Sequence, residues 1–549
     1  MPQMLTLMQR VHTAVPWATI QAVFLAVGLF PSTLFGQVAI DASIEAVVDH
    51  YVDMRLRESM VEPASQAIDS DLIRRLTLDL VGRLPSLCET QEFLASVSES
   101  KRALWVDRLM MSEGFVRHQV DELESLLMYP DRGNLRDYLK KSVTENRPWD
   151  QIFKDLMLAE QGDDPNAGAS SFVRARLNDV DKMTNEVSVR FFGVNISCAQ
   201  CHDHPLVSDW KQDQYYGMKS FFARTFENGG FVAERQYGTV EYVTTHGEQR
   251  RARLVFLTGQ ALDEPEQLEP SDQEKQAEKK QLEELRKEKK APPQPIYSRR
   301  NRIIESGLSP VGRMWLARAI VNRVWYRLLG YGLVMPVDQM HSENPASHPE
   351  LLVWLAEDLI AHDFDLKRLI RGLVMSRTYS RDTSWEGSGT KPEASLFAIG
   401  RVRMLTPLQL GASLRVATLD PESIGGNVPL ADRNKRLEDS AQSGRGLSSR
   451  FEMPREDLQL SISEALYLNN NRELMSELLG RGLVDRLVAI QDDGTAMELA
   501  FQSVLQRPPD SVEREAIMSY LQMRSERRLQ ACQQMVWSLL ASTEFRFNH

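Results

Sequence analysis

Cys198, Cys201, His202 and His204 lie within one short stretch, Ser197-Cys-Ala-Gln-Cys-His-Asp-His-Pro205, in a chain with only four cysteines and ten histidines. Cys-x-x-Cys-His is the spacing used to attach c-type haem. Two thiols three positions apart sit on one side of a helical turn, where they can add to the two vinyl groups of one porphyrin. The next residue, a histidine, can turn its ring under the iron as an axial ligand. Cys198, Cys201 and His202 are therefore the candidate cofactor-binding residues, with haem c as the cofactor. Other chemistry stays open, because Cys-x-x-Cys also serves as a redox disulfide pair or as half of a zinc site. Cys201 and His202 are adjacent, so four tetrahedral ligands are hard to draw from 198–204 alone. Zinc would need distant help, from His118, Cys88 or Cys532. His202, His204 and His118 are thus the candidate metal ligands. His204 is too close to His202 to reach the opposite side of an iron and is read as an orienting neighbour. An opposite ligand would come from His118, Met218 or His348.

These residues must be positioned by helices. The apolar spacing predicts helices over 44–58, 70–80, 90–97 and 101–111, with Gly82 ending the second and Pro85 blocking its continuation. Helix continues over 115–160 with a turn at 130–133, and a Gly/Asp/Asn-rich loop covers 162–169. A helix from about Lys182 then runs straight into the cysteine motif. Trp210, Tyr215, Tyr216, Phe221 and Phe222 follow; such a run can wall a flat cofactor or simply be core. The pattern then alternates over 238–245 and 252–257 around His246-Gly247, which predicts a β-hairpin, the one clear β element. Residues 262–290 are dense in charge with almost no apolar face, an exposed helix or a disordered linker, closed by Ala291-Pro-Pro-Gln-Pro. Helices return over 314–329, 349–360, 365–374, 405–417, 473–490, 496–504, 511–524 and 529–542, with a Gly/Ser-rich loop at 440–449. The expected fold is mainly α. It comprises two helical domains, 40–228 and 298–549, separated by a β-hairpin insertion at 229–261 and a charged linker at 262–297.

One internal echo stands out. Arg83-Leu-Pro85 with Glu89 resembles Arg507-Pro-Pro509 with Glu513, and the helices that follow end on Ser112-Glu-Gly-Phe115 and Ser542-Thr-Glu-Phe545. Two related units, or a common solution to one helix turn, both account for it.

The N-terminus bears on compartment. Arg10 and His12 precede an apolar run from Ala14 to about Phe35, and Gly36 and Ala39 offer cleavage points, the pattern of a signal peptide over 1–39. Pro16, Gln21 and Pro31 interrupt it, which argues against a membrane span, although an uncleaved anchor would tie the chain to a membrane. Export, to a periplasm or beyond, also suits covalent haem attachment, which takes place outside the bacterial cytoplasm. The 549 residues are 42% hydrophobic and 26% charged, ordinary for a globular chain, and four cysteines are too few for a disulfide scaffold. A net charge of −11 argues against nucleic acid as a partner.

The run from Val189 to Phe222 resembles the planctomycete-type cytochrome-c-like domain, a family of unknown function. Ile73-Arg-Arg-Leu-Thr-Leu-Asp-Leu-Val-Gly-Arg-Leu-Pro85 and Asn146-Arg-Pro-Trp-Asp150 match it too. Downstream, Ile320-Val-Asn-Arg-Val-Trp325, Ser347-His-Pro-Glu-Leu-Leu352, Phe364-Asp-Leu-Lys-Arg-Leu-Ile370, Ser376-Arg-Thr-Tyr379 and the ending Ser542 to His549 resemble the companion planctomycete-specific C-terminal domain. The family's cytochrome label rests on the same five-residue motif, so the resemblance implies a lineage more than a mechanism. Members often carry a further cytochrome domain; this chain has no second Cys-x-x-Cys-His, so a multi-haem relay within it is not expected. Members typically show Arg-His-Trp where this chain has Arg117-His118-Gln119.

Two functions of different class follow. One is an exported carrier of a single c-type haem that passes electrons to a redox partner. The other is an exported helical scaffold in which Cys198, Cys201, His202 and His204 hold a structural metal or brace the fold. No nucleophilic triad or phosphate-binding loop is evident, and only unassigned acidic residues speak for a hydrolase.

Overall fold

The computed structural model describes residues 42–549 apart from 132, 160–167, 205–206, 267–268, 388 and 455–470. The expected leader, 1–39, and most of the loop at 162–169 lie outside the described residues. Ser43–His549 forms one compact unit, mainly helical, with short two-stranded antiparallel sheets.

The helices form where apolar spacing and capping agree. In Asp69–Val81, Asp69 and Asp71 occupy the first turn, where a carboxylate suits the helix dipole, and Leu72, Ile73, Leu76 and Leu80 are buried. The helix stops at Gly82, whose φ is +67°, a left-handed conformation that favours glycine. A Cβ there would stand 2.5 Å from His118 Nδ1, so glycine is needed for space as well. Pro310–Leu329 starts on the Ser309 hydroxyl and Pro310 and ends on left-handed Gly330. It buries Leu316, Ile320, Val321 and Trp325. It packs on Pro349–Ala361 and on Val180–Phe192, the helix that leads to the cysteine motif.

The internal echo is a real structural repeat. Arg83 forms a two-armed ion pair with Glu89 (2.8 and 2.9 Å) and donates to the Leu84 carbonyl. Arg507 makes the same two-armed pair with Glu513 (2.7 and 2.8 Å) and donates to the Pro508 carbonyl. Each glutamate also closes a capping box, with Ser86 before Leu87–Ala95 and with Asp510 before Ser511–Met523. Each second helix, Lys101–Met110 and Arg528–Leu540, is followed by a serine whose hydroxyl accepts from a phenylalanine N–H three residues on: Ser112 from Phe115, Ser542 from Phe545. Both phenylalanines are buried.

The two ends of the chain interlock. Leu78 and Leu84 share a core with Leu410, Leu414 and the buried faces of the helices over 472–540. Arg74 donates to the carbonyls of Glu544, Phe545 and Phe547 (2.9–3.1 Å) and pairs with Gln506. Asp79 accepts from Tyr379, Arg403 and Asn548 (2.7–3.0 Å). Arg403–Met404 and Phe547–Asn548 pair as a small sheet.

Three expectations differ. The hairpin pairs 241–243 with 249–251, while 254–255 pairs onward with 261–262; a second hairpin, 225–228 with 231–234, turns on Gly229-Gly230. Alternation marks both 238–245 and 252–257 as extended, but it does not select partners. Residues 440–449 are helical, in Leu430–Ser443 and Arg445–Ser448, because Gly444 lies against Gly411 of Pro407–Ala417. A Cβ on Gly411 would meet the Gly444 oxygen at 2.3 Å; those glycines permit a close crossing instead of marking a loop. The segment 473–490 breaks at Gly480–Gly482 into Arg472–Leu479 and Leu483–Ala489. The charge-dense stretch takes the first of its two expected forms, an exposed helix over 272–288 with no buried residue, begun by a Ser271/Glu274 capping box. Among the described residues no helix is long and apolar enough to cross a membrane.

Candidate functional site

Val180–Phe192 ends at left-handed Gly193, and the backbone turns past Val194, which bridges to Gln339, into a single 3-10 turn over Ser197–Gln200. Ala199 points into the core while Cys198, Cys201 and His202 are exposed on the surface. The turn is tied down by its own polar groups. Asn195 Oδ1 accepts from the Ser197 N–H and hydroxyl (3.1 and 2.6 Å). Tyr216 and Gln212, from the helix Gln212–Phe222, donate to the carbonyls of Gln200 (3.0 Å) and Cys201 (3.2 Å). Asp203 caps that same helix through the Gln212 N–H at 2.9 Å. The motif is thus a surface corner tied by hydrogen bonds to the helix that follows it.

His202 Nδ1 lies 2.8 Å from the Asp203 carbonyl oxygen. A carbonyl can only accept, so Nδ1 carries the proton and Nε2 keeps its lone pair for a ligand. His204 is held differently: its Nδ1 accepts from the Val207 N–H (3.0 Å), and its own N–H donates to the Trp210 carbonyl (2.8 Å). It braces the loop beyond the motif. Trp210, Tyr215, Phe221 and Phe222 are buried core, and Tyr216 stacks on Tyr242 with ring centres 4.1 Å apart.

The other sequence candidates stand elsewhere. Met218 is fully buried. His348 is buried beside Phe397, and burial holds it down to about 4. Cys88 is buried against Arg433 (2.7 Å), which with Glu92 occupies its sulfur, and Cys532 lies in the C-terminal core. All four cysteines are free thiols. His118 lines a cavity of about 660 Å3 to which no residue of the cysteine motif belongs. Its Nε2 lies 3.9 Å from Glu122, and burial, reinforced by Arg327 and Arg117, keeps the ring well below the usual histidine range. Among the described residues no three His, Cys, Asp or Glu side chains converge as a metal ion would require.

Sequence reasoning missed His341. It faces His204 and Asp209, whose carboxylate accepts from the Ser342 N–H and hydroxyl (2.8 and 2.9 Å). Burial lowers its pKa, and its Nδ1 is buried with no partner among the described residues. Nothing local in the sequence signals this approach, because it depends on the pairing of Val194 with Gln339.

Residues 47–227 match the model PSCyt2, described as Protein of unknown function (DUF1549), and residues 311–455 match PSD1, Protein of unknown function (DUF1553). The chain is a PSCyt2–PSD1 protein. No curated protein and no solved structure matches it. The cysteine motif falls in the PSCyt2 domain, whereas the cavity around His118 takes its walls from both domains: Phe115 and Leu126 from PSCyt2, Val324 and Ile370 from PSD1.

Proposed function

We propose that this PSCyt2–PSD1 protein is an exported c-type-cytochrome-like protein that holds one covalent haem at its cysteine motif and serves in electron transfer. The observation that carries the reading is the exposed pair of thiols on one 3-10 turn, followed by a histidine whose Nδ1 side is taken up by the Asp203 carbonyl. Those residues fit the group. Cys198 and Cys201 are accessible for thioether bonds to the porphyrin vinyls, and His202 Nε2 is available to iron. Haem, when bound, supplies a one-electron change at its iron. The protein's own part is to anchor it and to keep the His202 ring oriented, which Asp203, Gln212 and Tyr216 do by fixing the loop backbone. His118 lines the separate cavity, His348 is buried beside Phe397 and Met218 is fully buried, so this reading assigns none of them to the iron. Export follows from the chemistry of attachment and from the leader expected over 1–39.

The test is expression of the full chain with its leader in a bacterium competent for c-type haem attachment. A haem-stained band and a pyridine haemochrome spectrum are expected, both lost in Cys198→Ser and Cys201→Ser. Purified protein without a Soret band overturns the proposal. The second reading is an exported scaffold braced at Cys198, Cys201, His202 and His204. It gains from the same exposed thiols, which are also placed for a disulfide or for zinc. Zinc found by elemental analysis and lost in Cys198→Ser, or a quantitative Cys198–Cys201 disulfide by mass spectrometry, would establish it.

A further inference from the structure

The cavity of about 660 Å3 lies within the usual range for small-molecule sites, roughly 300–1,000 Å3. Its walls are largely apolar, with Phe115, Leu126, Val324 and Ile370 among them, yet its polar groups are strongly biased in charge. Seven of the lining residues are arginine or lysine and two are carboxylates, Asp79 and Glu122. Asp79 is committed to Arg403, Tyr379 and Asn548. Arg147 pairs with Asp155 and Arg190 with Glu186, both outside the cavity wall. None of the ion pairs among the described residues uses Arg323, Arg327, Arg401 or Lys367, although the Glu122 carboxylate on the same wall acts on Arg327 from beyond ion-pair distance, as Asp338 and Glu186 do on Arg323.

Arg327 is the most exposed to this imbalance in chemical terms. Its Nη1 donates to Gln119 Oε1 at 3.0 Å, but its Nε and Nη2 are buried and have no acceptor among the described residues. Gln119 uses that oxygen, and its own Nε2 is likewise buried without an acceptor. Among the described residues, three N–H-bearing nitrogens on two neighbouring side chains thus lack acceptors at the wall of one cavity. Buried donors without partners cost about 1–3 kcal/mol each; single arginine nitrogens without a partner recur elsewhere among the described residues, and Arg327 differs in having two on one fork, beside Gln119. An arginine fork matches the two oxygens of a carboxylate, phosphate or sulfate. Lys367, beside Phe115, and Arg401, over the Tyr331 ring at 5.5 Å, add positive charge to the same cavity.

The geometry points to a binding site, walled by both the PSCyt2 and PSD1 domains, for a small organic oxyanion: an oxyanion group on Arg327 and Gln119 and an apolar body against Leu126, Val324 and Ile370. It is separate from the cysteine motif and independent of whether haem is attached there.

Calorimetric titration of the full chain with phenyl phosphate, phenyl sulfate, benzoate and neutral benzyl alcohol tests this. At least one of the three anions is expected to bind ten-fold or more tightly than benzyl alcohol, and the anion that does so identifies the oxyanion. Arg327→Gln and Gln119→Leu should each weaken that anion at least ten-fold, while Arg286→Gln on the exposed helix 272–288 should leave it unchanged. If Arg327→Gln fails to fold by circular dichroism, Gln119→Leu and Lys367→Gln give the same reading. Equal binding of anions and benzyl alcohol, no binding of any anion at 10 mM (on the order of the weakest affinities worth considering), or folded variants that bind like the parent would each overturn the proposal.

Discussion

His202 and His118 carry the same side chain into opposite environments, and the difference explains what each can do. His202 is exposed, with one nitrogen satisfied by a neighbouring carbonyl and the other free. His118 is buried between the end of Asp69–Val81 and the cavity, and burial keeps it neutral. Its close packing makes Gly82 sensitive. Gly82→Ala should lose at least about 1 kcal/mol from the left-handed backbone alone, and the clash with His118 adds to that; urea denaturation of the full chain measures it. Glu89 provides a pH signature. Burial works against its carboxylate, but Arg83 and the Ser86 hydrogen bonds prevail and hold it down to about 2. A depressed carboxylate stabilises fully above its unfolded pKa, about 4.5, and that contribution fades as pH falls through the folded value of about 2. The linked loss is about 3 kcal/mol. Glu89→Gln should remove this part of the acid sensitivity in denaturation curves stepped from pH 6 to pH 2.

Among the elements, the two arginine–glutamate corners show how one local solution is used in two settings. The Arg83–Glu89 pair is buried, with side chains 8% and 3% exposed, whereas the Arg507–Glu513 pair is 31% exposed at each side chain. Removing one partner of a buried pair strands a charge and typically costs about 3–5 kcal/mol, against about 1 kcal/mol for a solvent-screened pair. Arg507 also holds Glu544 (2.6 and 2.7 Å), so Arg507→Ala loses two screened pairs, about 2 kcal/mol, and Arg83→Ala should still destabilise the chain more, as compared by thermal unfolding under one buffer. The repeat was legible in the sequence because its signals are local: an arginine, a proline, and a glutamate six residues on. The strand partners over 225–262 were not, since alternation fixes which face a residue takes and not which strand it meets. The helix at 445–448 was hidden for a related reason. Glycine reads as a breaker until a second helix, bearing Gly411, is known to cross it.

For the whole molecule, Ser43–His549 behaves as one body whose core crosses the family boundaries. The matched domains end at residue 455, yet the segment from Arg472 onward supplies Leu478, Leu487, Phe501, Val536 and Phe545 to the core that also holds Leu78 and Leu84. A chain ended after residue 454 should not fold as the PSCyt2–PSD1 unit. It is expected to be aggregated or protease-sensitive, and limited proteolysis beside the full chain checks this. The residues themselves determined the helical class, most helix ends, the repeat and the cysteine motif, because capping, periodicity and covalent chemistry act over a few positions. Only the tertiary structure decided where His118 goes, that His341 comes near Asp209 and His204, and that Arg327 and Gln119 face one cavity with donors unmatched among the described residues. Those relations join positions far apart in the chain, and they exist only once burial has chosen which helices touch.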